Sequence, residues 1–193
     1  MGIDKQIFIF CGCNGAGKTT ASYTMLPEVF HCDELVNADE IAKGLSPLNP
    51  EKVAIDAGKL MLMRINELLK REVSFAFETT LATKTYTHLI KKAQAQGYKI
   101  TLLFFWLNSP ELAVQRVAKR VKEGGHNIPE DVIRRRYNSG VRNLFNIYMD
   151  CVDYWALIDN SQNPREIVAE GGKNLERKIH NNELYNIIKD NVE

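Results

Sequence analysis

No uninterrupted apolar stretch of this 193-residue chain approaches the roughly 20 residues that a helix needs to cross a bilayer. Charge of one sign is lacking too. The 25 Lys and Arg face 24 Asp and Glu for a net +1, which argues against a nucleic acid or a membrane surface as a general partner. Any basic character has to be local. Cysteine is sparse: Cys11, Cys13, Cys32 and Cys151 form no CxxC or Cys/His ligand spacing. That excludes a zinc site of the usual spacing, and a reduced, cytoplasmic protein is expected. The start of the chain has no basic region followed by an apolar one. Gln6 stands where a myristoylated Gly2 would need Ser or Thr. Internal repeats and low-complexity segments are absent as well. At 45% hydrophobic and 25% charged residues the composition is that of a soluble globular protein. The length suits one well-buried core and is too short for two ordinary domains, so a single domain over 1–193 is expected.

What is present begins with Gly12-Cys13-Asn14-Gly15-Ala16-Gly17-Lys18-Thr19, a complete P-loop directly after the apolar run Ile7-Phe8-Ile9-Phe10-Cys11. Gly12, Gly15 and Gly17 let the backbone turn tightly and aim its N–H groups inward, where they cradle phosphate at the positive end of the following helix. Lys18 reaches the β- and γ-phosphates, and the Thr19 hydroxyl coordinates Mg²⁺. Asn14, Ala16 and Thr20 complete the nucleotide-binding set. A strand pattern before the motif and a helix-compatible stretch after it, from Thr20 to the stop at Pro27, supply the context that the mechanism requires. ATP and Mg²⁺ are the ligands expected.

Apolar runs and amphipathic stretches then alternate, the pattern of a parallel sheet wrapped by helices. Strands are expected near 6–11, 34–37, 73–77, 99–107 and 154–158. The predicted fold is α/β, a P-loop NTPase or kinase-type parallel five-stranded sheet flanked by helices, with a helical lid over about 109–150. Ser109-Pro110-Glu111 reads as a helix start, and Glu123-Gly124-Gly125-His126-Asn127-Ile128-Pro129 as a loop between two basic helices. Ile133, Tyr137, Val141, Leu144 and Tyr148 describe one long helix after it. A polar C-terminal helix is expected over about 172–190.

A P-loop does not by itself name a reaction. In open α/β sheets ligands sit beyond the carboxyl ends of the strands, and there the sequence puts Asp39 after the second strand and Glu78 after the third. One carboxylate can deprotonate an acceptor hydroxyl while the other holds the acceptor or the hydrated metal. Two plainer readings stand beside this one: Asp39 as the N-cap of a helix, and Glu78 touching only metal-bound water. Asn37 and Glu40 suit capping or solvent. Arg116 and Arg120 share a helix face, and Arg134, Arg135, Arg136 and Arg142 follow the loop. Like charges so spaced repel, so either phosphate or the neighbouring acids Glu111, Glu123, Glu130 and Asp131 must offset them. His126 reads as loop or as part of a lid.

Taken together, residues 12–19, Asn37-Ala38-Asp39-Glu40, Phe77-Glu78-Thr79-Thr80, residues 106–113 and residues 124–137 resemble the short bacterial zeta-toxin-like P-loop kinases. The similarity runs from about Lys5 to Gly171. Zeta toxins are ATP-dependent kinases that phosphorylate a sugar hydroxyl of UDP-N-acetylglucosamine. The resemblance implies Lys18 and Thr19 at the phosphates and Mg²⁺, and Asp39 as the base on the acceptor hydroxyl. It further implies Glu78 and Thr80 as acceptor contacts and Arg116 as a phosphate-contacting lid arginine, and it raises an antitoxin as a partner. Two departures bear on the acceptor: Glu78-Thr79-Thr80 replaces the usual Glu-Gly-Thr, and His126 stands at a lid arginine's place. Arg120 or the run 134–136 then supplies that charge, with Arg136 on the acceptor side. The expected activity is phosphoryl transfer from ATP to a small hydroxyl-bearing acceptor. A nucleoside, nucleotide or polynucleotide 5′-hydroxyl kinase is the alternative within the class. An ATP-binding switch or ABC-type ATPase subunit is the alternative outside it, although the chain has no Leu-Ser-Gly-Gly-Gln signature and no Asn-Lys-x-Asp motif.

Overall fold

The computed structural model describes residues 5–125 and 127–190, so the role considered for His126 lies outside the described residues. Strands β1 (Gln6–Cys11), β2 (Leu35–Val36), β3 (Phe75–Thr79), β4 (Lys99–Trp106) and β5 (Tyr154–Asp159) pair in parallel, in the order β2-β3-β1-β4-β5. These match the expected five within a residue or two. The sheet has seven strands, however, because β6 (Glu166–Gly172) and β7 (Leu175–Ile179) add on antiparallel beyond β5. The predicted helix over 172–190 is thereby corrected to a hairpin strand followed by a helix confined to Asn182–Asp190. A polar edge strand owes its structure to the ladder on its neighbour, a tertiary term that local pattern does not carry. Charged Glu176, Arg177 and Lys178 on this outermost strand protect the open edge from further pairing.

Alternation along the strands builds two cores, one per face. Ile7, Ile9, Phe75, Phe77, Leu102, Phe104, Trp155 and Leu157 point to one side, and Phe8, Phe10, Ala76, Leu103, Phe105, Ala156 and Ile158 to the other. The first face is covered by α3 (Ala54–Lys70) and α4 (Tyr86–Ala95), through Met61, Ile65, Leu68, Ile90 and Ala93. The second is covered by α1 (Lys18–Met25) and α5 (Pro110–Lys122), through Ala21, Ala113 and Val117. Helix α6 (Glu130–Asn143) belongs to both: Ile133 packs in the second core, Tyr137 touches both, and Val141 lies in the first. It therefore passes over the carboxyl ends of the strands. A π-type turn, Leu144–Tyr148, continues it with Leu144 and Tyr148 buried. The expected long helix is thus present, but much of the region considered as a lid is part of the core.

Two expectations follow from this packing. Gly140 lies inside α6, where alanine ordinarily stabilises by about 1 kcal/mol. Here a Cβ would come within 2.7 Å of the Thr80 carbonyl oxygen. Gly140→Ala should lower stability by about 1–3 kcal/mol, read as a reduced urea midpoint at unchanged m; a raised midpoint would contradict it. Cys11, Cys13 and Cys32 are buried, and burial raises each thiol pKa, that of Cys13 to about 11. At pH 8 about one Cys13 in a thousand is then a thiolate. Alkylation of the native protein followed by peptide mass mapping should label the half-buried Cys151 well ahead of Cys13. Comparable rates would be inconsistent with this packing.

Candidate active site

Strand β1 delivers the phosphate loop at its carboxyl end. Gly12 passes so close to β4 that a Cβ would overlap the Phe105 carbonyl, and Gly15 and Gly17 sit at φ 82° and 83°, left-handed backbone that favours glycine. Gly17 is the N-cap of α1 and has no side chain to satisfy the first N–H groups of the helix, leaving them for an anion. Lys18 arches back so that Nζ donates to the carbonyls of Gly12 and Cys13, each at 3.0 Å. Thr19 Oγ1 donates to Glu78 Oε2 and Ser22 Oγ to Glu78 Oε1, both at 2.9 Å. Glu78 is 93% buried by these contacts and its strand. Thr20 is exposed and lines the cavities beside the loop, whereas Asn14 and Ala16 are buried in the loop.

Asp39 stands in the first turn of α2 (Ala38–Leu45), but it is not the cap. Asn37 is, its Oδ1 accepting from Asp39 N at 2.8 Å. The Asp39 carboxylate is left to face the cavities it lines with Lys18 and Glu78. Glu40 pairs with Lys43 at the surface, and both also line the cavity over the loop.

The arginines separate into groups. Arg116 Nη2 donates to Ser161 O at 2.9 Å, and the side chain lines two cavities beside the loop. Arg120 lines the inner of these. Arg134 is held by Glu111 and Glu130 on the surface and Arg135 is exposed, so neither faces the site. Arg136 does, its Nη1 donating to Asn14 Oδ1 at 3.2 Å. Burial pulls its pKa below the ordinary guanidinium value, nearby Asp39 partly offsets this, and Arg135 adds to it. Its place above the strand ends follows from the crossing of α6.

Three cavities run along the strand ends. An inner one of about 240 Å³ lies over the loop, between Lys18, Thr19, Asp39, Glu78, Arg116 and Arg120. On the β3 side a pocket of about 200 Å³ adjoins it, walled by Asn37, Asp39, Met61, Thr80, Tyr86 and Arg136. Asn14, Lys18, Asp39 and Glu78 line both. On the β5 side an open cavity of about 550 Å³ is lined by Gly17, Thr20, Arg116, Asn160, Gln162 and Arg165. The wall of the 200 Å³ pocket is pinned from α6. Leu81, at φ 58° and buried, takes a bond from Asn143 Nδ2 to its carbonyl at 2.8 Å and gives its N–H to Thr79 Oγ1 at 3.1 Å. Left-handed backbone at a leucine costs energy, and these bonds hold it in place.

Sequence reasoning missed Tyr86 and Met61, which only packing brings beside Asp39, and the whole segment Asn160–Arg165. The latter was open to the strand-end rule, since it follows β5 directly.

With this geometry in hand, the profile of the family described as "Zeta toxin" matches residues 3–164. A Haemophilus influenzae protein described as uncharacterized is 33% identical over 137 residues, which cover 69% of this chain and 93% of that protein. Among solved structures, AvrRxo1-ORF1 in complex with AvrRxo1-ORF2 superposes with TM-score 0.80 at 17% identity over 97% of this chain. This chain spans 64% of that one, and a further structure of that complex contains ATP. The PezAT toxin–antitoxin system of Streptococcus pneumoniae gives TM-score 0.67 at 16% identity, covering 100% of this chain and 87% of that one. The structural likenesses establish the P-loop kinase-type fold, and the sequence match covers most of the chain: this protein belongs to the zeta toxin family.

Proposed function

We propose that the protein is a single-domain, cytoplasmic, Mg²⁺-dependent kinase that moves the γ-phosphoryl group of ATP to a hydroxyl of a small acceptor. UDP-N-acetylglucosamine is the acceptor its family suggests. The observation that carries the reading is the junction of two cavities: Asn14, Lys18, Asp39 and Glu78 line both the space over the phosphate loop and the pocket on the β3 side. A donor phosphate in the first then meets an acceptor in the second at a carboxylate.

In this reading the loop amides and Lys18 bind the β- and γ-phosphates, and the nucleoside end of ATP extends toward Thr20 and Arg165. Asp39 takes the proton of the acceptor hydroxyl as its oxygen bonds to the γ-phosphorus. The bond from that phosphorus to the bridging oxygen breaks, and ADP leaves with the electron pair. Arg116 and Arg120 from α5, and Arg136 from α6, offset charge on the migrating group and on the acceptor. Thr19 Oγ1 and the Glu78 carboxylate are hard oxygen donors side by side. Among the described residues no cluster of His, Cys, Asp or Glu forms a metal cage of its own. The adjacent oxygens suit Mg²⁺, which would be held by Thr19 and Glu78 and would neutralise charge on the ATP phosphates. The contacts of Glu78 with Thr19 and Ser22 favour the metal side for this carboxylate, leaving Thr80 and Arg136 to hold the acceptor. An antitoxin that covers the site belongs to the same reading. No helix among the described residues is long and apolar enough to cross a membrane.

Labelled ATP offered with UDP-sugars, nucleosides and 5′-hydroxyl oligonucleotides tests the acceptor class, and transfer to a UDP-sugar is expected. With the acceptor so found, Lys18→Ala and Asp39→Asn should each lower turnover by about 10²–10⁴-fold, while only the lysine change weakens ATP binding. Full activity of Asp39→Asn would remove Asp39 as the base. ATP binding with no acceptor phosphorylated by a whole-cell metabolite extract would point to a nucleotide-controlled binding protein instead.

A further inference from the structure

A peptide unit is planar and trans, so its C=O and N–H point in opposite directions. An amide can face a bound phosphate only if the carbonyl of the same unit is accommodated on the other side. For the unit joining Ala16 to Gly17 that accommodation comes from outside the loop: Asn160, the first residue past β5, donates Nδ2–H to Ala16 O at 2.8 Å. Drawing this carbonyl outward turns the Gly17 N–H toward the phosphate side. The unit is prone to flip when unsupported, because Gly17 sits at φ 83° and glycine populates both signs of φ about equally. The approach is also close, since a Cβ on Gly17 would lie 2.6 Å from Asn160 Nδ2. Gly17 is therefore required twice, by its backbone conformation and by the side chain resting on it.

Asn160 is itself rigidly mounted. Its N–H donates to Trp106 O at 2.9 Å, tying it to the end of β4. The Asp159 carboxylate accepts from Ser161 N at 2.8 Å and from the Ser161 hydroxyl, whose oxygen accepts from Asn108 N at 2.8 Å. Ser161 O in turn holds Arg116 at 2.9 Å. Residues 159–161 thus form one bracket between the phosphate loop and the arginine-bearing helix.

We propose that Asn160 is a positioning residue for the nucleotide, locking the Ala16–Gly17 peptide so that the Gly17 amide is presented to the ATP phosphates. The proposal rests on the ATP-kinase reading above. Its role is carried by the side-chain N–H donor, and shape alone does not replace it.

The test is ATP binding without acceptor, by calorimetry, for the wild type, Asn160→Ala and Asn160→Asp, with thermal midpoints alongside. Asn160→Ala should weaken ATP about 3–10-fold, the span of one modest hydrogen bond. Asn160→Asp should weaken it further, because the carboxylate keeps the shape, loses the donor and sets a negative charge beside the phosphates. Both midpoints should stay near that of the wild type, as Asn160 is only partly buried. Lowered midpoints with unchanged ATP affinity of the folded protein would assign Asn160 a structural role only and overturn the proposal. So would Asn160→Asp binding ATP as tightly as the wild type. A wild type that binds no ATP would instead remove the kinase reading and this inference with it.

Discussion

A loop that grips phosphate with backbone amides has to turn several N–H groups to one side, and peptide planarity then drives its carbonyls to the other, where each needs a donor. Here those donors come from different parts of the chain. Lys18 serves Gly12 and Cys13, Ala21 N in the first turns of α1 serves Gly17 at 3.0 Å, and Asn160 from the end of β5 serves Ala16. The loop also lies against β4, where Gly12 meets the Phe105 carbonyl. The phosphate cradle is consequently a property of β1, β4 and β5 together, and its eight-residue motif is the part that shows.

The other half of the site depends on a single helix crossing. Because α6 enters in one core at Ile133 and leaves in the other at Val141, its middle lies over the strand ends and carries Arg136 to Asn14. The same helix holds the far wall of the 200 Å³ pocket through Asn143 and the close approach of Gly140 to Thr80. A helix so anchored at Val141, Leu144 and Tyr148 is poorly suited to open as a body.

Much of this was legible in the sequence, for reasons that differ from residue to residue. The five parallel strands were visible because strands buried on both faces read as continuous apolar runs. Asp39 and Glu78 were visible because a polar residue at the end of such a run points into the crevice. The hairpin β6–β7 was not, since β6 is strand by pairing with β5 and the polar β7 only by pairing with β6. The arginines were ambiguous for the same kind of reason: Arg134 and Arg136 look alike in sequence, yet one meets Glu111 and Glu130 and the other meets Asn14.

The sequence by itself determined the phosphate loop, the parallel α/β core and the two carboxylates at its rim, because each is written in short-range pattern. Glycines appear where backbone must turn left-handed, continuous apolar runs where a sheet is buried on both faces, and an acid where a strand stops. Only the tertiary structure decided which arginine faces the site, that Asn37 rather than Asp39 caps α2, and that Asn160 supports a loop 144 residues earlier. Those outcomes depend on which distant carbonyl or carboxylate a side chain can reach, a distance that exists only once the helices have crossed the sheet.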